Sequence, residues 1–237
     1  MGLKISGIGK KYTRNGKEFW AVKDIDIFAG EGSFINIIGR SGSGKTTLLN
    51  LIAGLLDPTE GEIFLDERKV TGLQDDERSN LRNKEISYIT QGKSALKNLT
   101  VMQNVMLPCF LSERNRTEKE YSGSTFEEKQ EEAQNLLERF GIGHLADSFP
   151  SGLSGGEIRR MSIARALINH PKILLADEPT GDLDPVNTEL VLELFRNITK
   201  EKVTVISVTH ENENPMYAAD AVYKMDGGSL SLIRTGG

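Results

Sequence analysis

One cysteine, Cys109, is all the thiol chemistry in this chain, which excludes an internal disulfide and any cysteine-built zinc site. Its expected place is a small apolar position in the interior. Positive charge is not in excess either. Lys and Arg number 29 against 34 Asp and Glu, for a net charge of -5, which gives no electrostatic footprint for nucleic acid. Long hydrophobic runs are missing. The most apolar helical stretch, Leu48 to Leu56, is interrupted by Asn50 and Gly54 and falls far short of the ~20 residues a membrane span needs. Met1 to Lys11 lacks the apolar core of a signal peptide. No internal repeat or low-complexity tract is visible. The expectation is a cytoplasmic protein whose membrane role, if it has one, comes through a partner.

What is present suits a globular α/β protein: 237 residues, 38% hydrophobic and 27% charged, enough for one large domain or a domain with a subdomain. Four short β-branched runs stand out. Phe34 to Ile38 leads into a glycine-rich loop, Ile86 to Thr90 into Gln91, Lys172 to Ala176 into Asp177, and Val203 to Val208 into Thr209 and His210. Such runs, separated by helical patterns, predict a parallel sheet covered on both faces, with ligands at the carboxyl ends of its strands. Helices are expected over Thr46 to Leu55, Lys129 to Phe140, Glu157 to Asn169 and Val186 to Lys200. The polar stretch Ser112 to Glu127 reads as a solvated loop or helix end.

Gly39-Arg40-Ser41-Gly42-Ser43-Gly44-Lys45-Thr46 matches G-x-x-x-x-G-K-[ST] between a predicted strand and a predicted helix, the context that pattern requires. Glycines let successive backbone N–H groups converge on phosphate oxygens, and the helix N-terminus adds its positive end. Lys45 is expected to reach the β- and γ-phosphates and the Thr46 hydroxyl to ligate Mg²⁺, with Thr47 beside it. Asp177-Glu178 ends an apolar run. Alone, such an acidic pair is an ordinary solvated turn. With a phosphate loop in the same chain, Asp177 is placed to hold the metal's shell and Glu178 to act as general base on water.

Leu153-Ser154-Gly155-Gly156-Glu157, followed by Ile158 to Leu167, resembles the signature motif and signature helix of the ABC ATPases. The resemblance covers essentially the whole chain, with the motifs in that family's order. It implies a P-loop NTPase fold: a RecA-like α/β core, a small antiparallel β region at the start, and a helical subdomain at residues 92–153, the rest of 1–237 forming core and β region. It implies that Tyr12 stacks on adenine, that Gln91 reaches the metal, that Asp184 belongs to the D-loop, and that His210 is the switch histidine. It implies ATP and Mg²⁺ as ligands. Ser154, Gly155, Gly156 and Glu157 would cover the ATP of a second subunit, in a homodimer or a dimer with a related ATPase, on an integral membrane permease at the cytoplasmic face. No nucleic-acid partner is expected.

Within that family the stretches 98–108 and 176–184 look like the ATPases of lipoprotein-releasing and macrolide-exporting systems, and Gly92 departs from the bulky residue usual after the glutamine. Both a transport motor and a switch controlling a cell-envelope or antimicrobial-peptide sensing complex fit this much. The resemblance also implies that the apolar stretch Leu96 to Phe110 offers a groove to a permease helix, with Met102 as an exposed member. His144 and His170 read as surface residues, and Arg159 and Arg160 as a solvated helix face.

Overall fold

Two sheets with one helix pressed between them organise the chain in a computed structural model, which describes residues 1–92, 95–113, 125–210 and 218–235. The first sheet is antiparallel. Strands β1 (Gly2–Arg14) and β2 (Lys17–Gly30) form a long hairpin, and β1 also pairs with β4 (Glu60–Leu65), which pairs with the short β5 (Arg68–Lys69). The hairpin turns on Asn15-Gly16, both at positive φ (51° and 72°), the two-residue turn whose twist suits antiparallel strands. This sheet extends beyond the start of the chain, since β4 and β5 join it after the first helix.

The second sheet has the order β10-β9-β3-β8-β7-β6. Its strands are β3 (Phe34–Ile38), β6 (Ile86–Ile89), β7 (Ile173–Asp177), β8 (Thr204–Thr209), β9 (Ala221–Asp226) and β10 (Ser229–Thr235). All neighbours are parallel except β9 and β10. The four strands expected from the sequence lie side by side, and β3, β7 and β8 are buried throughout. Their side chains alternate between two apolar cores. Ile35, Ile37, Ile173 and Leu175 face α1 (Lys45–Ile52) and the antiparallel sheet, while Phe34, Leu174, Ala176 and Val205 face the other way.

On that second side lie α3 (Val101–Glu113), α4 (Phe126–Arg139), α5 (Gly155–Leu167) and α6 (Pro185–Lys200); α2 (Asp75–Lys84) precedes β6. Phe195 of α6 meets Phe34 edge-on with ring centroids 5.8 Å apart, an arrangement worth about 1 kcal/mol beyond its burial. Each of α4, α5 and α6 starts on a side chain that bonds its N-terminal amides: Thr125, Ser154 and Asp184. Phe126 and Glu127 are the helix-end alternative of the predicted polar stretch, because Thr125 and Glu128 form a reciprocal cap; the rest of that stretch lies largely outside the described residues.

Val101, Val105, Met106 and Cys109 of α3 are buried in one cluster with Ala133, Leu137, Met161 and Ala164, so the apolar interior of α3 and α4 is continuous with α5 across residue 153. Met102 is half-buried against the same cluster, whereas Leu96 and Phe110 are exposed. Met102 thus packs on the cluster with part of its side chain and keeps the rest exposed. No helix among the described residues is long and apolar enough to cross a membrane.

Candidate functional site

The carboxyl ends of β3, β6, β7 and β8 open on one side of the parallel sheet, as the sequence suggested. There a cleft of about 510 Å³ is lined by Tyr12, Phe19 and Trp20 at one end, by Ser41, Gly42, Gly44, Lys45, Thr46 and Thr47 along its floor, and by Gln91, Glu178 and His210 at the other end. The loop Gly39–Gly44 joins β3 to α1, and Gly44 is the helix's N-cap at φ 108°. A Cβ on Gly44 would lie 2.1 Å from the Ala21 carbonyl oxygen, so only glycine lets the loop pass under β2. The buried Lys45 ammonium donates to the carbonyls of Gly39 (2.7 Å) and Arg40 (3.1 Å), curling the loop around itself.

Beneath the loop, Asn36 of β3 accepts a 2.8 Å hydrogen bond from Ser207 of β8, both buried, and so fastens the strand before the phosphate loop to the strand before His210. Glu178 follows β7 directly. Its carboxylate accepts from Gln91 Nε2 on one oxygen and lies 2.9 Å from His210 Nε2 on the other. Its own amide donates to the Val208 carbonyl at 2.9 Å. The structure thus brings together Gln91, Glu178 and His210, three residues far apart in sequence.

Asp177 is 2% exposed, with Oδ2 accepting a 3.3 Å hydrogen bond from the Tyr88 hydroxyl and Oδ1 buried without a hydrogen-bond partner. Burial, then the neighbouring Asp177 carboxylate, pushes the Tyr88 phenol well above its ordinary range, so it stays a donor. A buried carboxylate oxygen left over in this way fits a hydrated Mg²⁺, which carries most of its own ligands as water. The described residues contain no group of three or more His, Cys, Asp or Glu that could hold an ion by themselves. Tyr88 was missed by the sequence reading; it stands on β6, and only the parallel pairing of β6 with β7 sets it beside Asp177.

Tyr12 is half-exposed, stacked on Phe19 with centroids 6.0 Å apart and with the Lys10 ammonium 5.5 Å from its ring. The wall at this end is therefore broader than one tyrosine.

Ser154, Gly155, Gly156 and Glu157 stand outside this cleft. Ser154 caps α5, and the Glu157 carboxylate folds back to accept from the Ser154 amide (2.7 Å) and hydroxyl (2.8 Å), which holds its pKa below the usual carboxylate range. A Cβ on Gly156 would come 2.1 Å from Asn187 Oδ1. Asn187 also accepts from Arg160 at 3.1 Å, while its amide donates to Asp184 at 2.9 Å, so the start of α6 and the start of α5 form one corner. The reading of Arg159 as part of a solvated face is overturned: Arg159 is 8% exposed, and its guanidinium donates to the Glu178 carbonyl at 3.3 Å, while Arg160 is half-buried. His144 and His170 are exposed as expected, His170 pairing with Glu132.

The sequence pattern described as ABC transporter matches residues 22–181. A lipoprotein-releasing system ATP-binding protein of Rickettsia bellii is 38% identical, over 97% of this chain and 97% of its own length. A macrolide export ATP-binding/permease protein of Rhodopirellula baltica is also 38% identical over 97% of this chain, which spans 32% of that longer protein. Among solved structures, a dimeric ATP-binding cassette in a post-hydrolysis state with ADP and Pi superposes with a TM-score of 0.85 at 32% identity, covering 98% of this chain and 99% of that one. With its phosphate loop, strand-end carboxylates and serine-capped glycine helix in this arrangement, the chain belongs to the ABC transporter family, as an ATP-binding cassette that hydrolyses ATP.

Proposed function

We propose that this cassette works as one of a pair, each chain supplying the cleft for one ATP and the Ser154 corner for the other, and that the pair drives a separate integral membrane permease from the cytoplasmic face. The observation that carries the reading is the separation of the two halves: the cleft gathers Lys45, Thr46, Gln91, Glu178 and His210, while the Ser154 helix N-terminus lies outside it. A second copy placed head to tail brings an anion-binding helix N-terminus over the open side. The dimeric cassette with 32% identity supports a working pair.

Each residue then has a task. Tyr12, with Phe19 behind it, takes the base. The backbone of Gly39 to Thr47, including Arg40, Ser41, Gly42 and Ser43, takes the phosphates. Lys45 leaves the loop carbonyls for the phosphate oxygens. Thr46, Gln91 and Asp177 would hold a Mg²⁺, whose charge offsets that of the phosphates. Glu178 accepts the proton of the attacking water as its oxygen bonds the γ-phosphorus and the bond to the β-phosphate oxygen breaks. Because both Glu178 oxygens are engaged, by Gln91 and His210, the water enters by taking over part of one of these contacts. His210 then steadies the carboxylate, and Asp184 fixes the corner the partner meets. Relatives named for lipoprotein release and macrolide export support a transport motor of that general kind rather than a switch.

Glu178→Gln tests the reading. It keeps the cleft and removes the base, so ATP binding should stay near normal, turnover should be nearly abolished, and the variant should run as a dimer with ATP on a sizing column. Turnover close to that of the unaltered chain would remove Glu178 from the reaction.

A further inference from the structure

Glu178 has φ 48°, a left-handed conformation uncommon for a residue with a side chain, which persists only where the surroundings over-determine it. Its amide donates to Val208, and its carboxylate meets Gln91 and His210. Its carbonyl is met by the Gly181 amide at 3.4 Å and by Arg159 Nη2 at 3.3 Å. Of these anchors, only Arg159 comes from the helix that starts at Ser154. Arg159 is 8% exposed, and burying a cation is costly unless it has a defined partner. Burial lowers its pKa, and the nearby Asp182 opposes the shift, yet an arginine keeps its charge. A charged donor in a dry site, aimed at the carbonyl of a residue in an unusual conformation, restrains that residue more than a neutral contact would.

We infer that Arg159 is a positioning residue for Glu178: it fixes the backbone turn that presents the carboxylate and links that turn to α5, the helix whose N-terminus meets the second nucleotide. A movement of α5 on engaging the partner's ATP then reaches the chain's own Glu178 through one side chain. The inference rests on the reading of Glu178 as the general base.

The test is a double-mutant cycle on the full chain, with steady-state and single-turnover ATPase rates, nucleotide affinity and thermal midpoint measured for Arg159→Met, Arg159→Lys, Glu178→Gln and the combinations. Arg159→Met keeps the volume and removes the donor. It should lower kcat by about tenfold or more, as misplacing a reacting group does, with KM and nucleotide affinity changed less than about twofold. Arg159→Lys, which keeps the charge, should recover part of the loss. In the Glu178→Gln background neither change should lower the residual single-turnover rate further. An unchanged kcat, a rise in KM matching the fall in kcat, or an equal loss in both backgrounds overturns the inference. If Arg159→Met does not fold, Arg159→Lys and its cycle decide by the same criteria. Should Glu178→Gln itself turn over normally, the base reading fails, an outcome distinct from a cycle in which Glu178→Gln is dead and Arg159 has no effect.

Discussion

The cleft around Lys45 and the corner around Ser154 use the same two devices, a glycine-bearing turn and a helix N-terminus, and complete them differently. In the cleft, Lys45 folds onto its own loop and the strand-end residues Gln91, Glu178 and His210 hold one another. At the corner, the N-terminal amides of α5 are capped by Ser154, and Glu157 turns back onto Ser154. The first arrangement is poised to exchange internal contacts for phosphate. The second is self-sufficient and exposed, with Ser154 and Gly155 at the surface. On the proposed reading, the cleft binds from within the chain, whereas the corner contributes only where two chains meet.

Removing Lys45 should break the cleft most severely. Lys45→Ala deletes a buried charge-assisted contact to phosphate, and ATP affinity should fall by about a hundredfold in a nucleotide titration, with the isolated fold retained. Gly156→Val attacks the corner instead. The added Cβ would meet Asn187 Oδ1 at 2.1 Å, so the Asn187 side chain must give up its hydrogen bonds with Asp184 Oδ2 and Arg160. ATP binding to a single chain should change little, while ATP-driven dimerisation and turnover fail together. A loss of ATP affinity as large as that of Lys45→Ala would mean the two regions are not separable. Tyr12→Ala is milder. Base stacking is worth ~1–3 kcal/mol, and Tyr12 sits at the low end because it is half-exposed and Phe19 remains beside it, so affinity should drop by about fivefold.

The two regions also differ in how far the sequence foretold them. Strands β3, β7 and β8 were legible because both faces are covered, which removes the alternation of a half-exposed strand and leaves mostly apolar runs, with Asn36, Thr204, Ser207 and Thr209 buried among them. The antiparallel sheet was expected only through family resemblance. Register shifts between Ile5 and Ile8 and around Lys10 break the alternation of β1, and the Asn15-Gly16 turn signal was not read. The phosphate loop, Gln91, Glu178 and His210 were nameable because a loop pattern or a strand end announced them, whereas Tyr12 came only through the resemblance and Phe19 and Trp20 beside it were missed. Tyr88 and Arg159 were not nameable, for opposite reasons. Tyr88 depends on which strand lies beside β7, and Arg159, a charged residue on a helix, is solvated by default and buried here only because the Glu178 carbonyl receives it. The Ser154-x-x-Glu157 spacing is itself a capping signature, yet beside two glycines it drew attention first as an anion site.

The smallest expected effect separates those two roles of the corner. The Ser154 amide and hydroxyl hydrogen-bond the Glu157 carboxylate and depress its pKa below the ordinary 4.5. A carboxyl whose pKa is lower in the folded chain contributes stability that is fully present above its unfolded value. That contribution declines as pH falls through the folded value and the carboxylate is protonated. Glu157→Gln keeps the length and an acceptor oxygen for the Ser154 amide, so the reciprocal cap survives, but it no longer titrates. The variant should match the original chain within about 0.5 kcal/mol near neutral pH, since the side chain lies in a partly solvated turn. It should lose less stability than the original chain as pH falls below the ordinary value of 4.5 and through the depressed folded value. Thermal midpoints of both proteins across that range measure the difference directly. Parallel curves would show that the Glu157 charge does not contribute to the cap. If the stability curves diverge as expected and ATP-driven dimerisation is intact in Glu157→Gln, the negative charge belongs to the helix start alone, and the anion-binding role of the corner rests on Ser154 and the backbone amides after it.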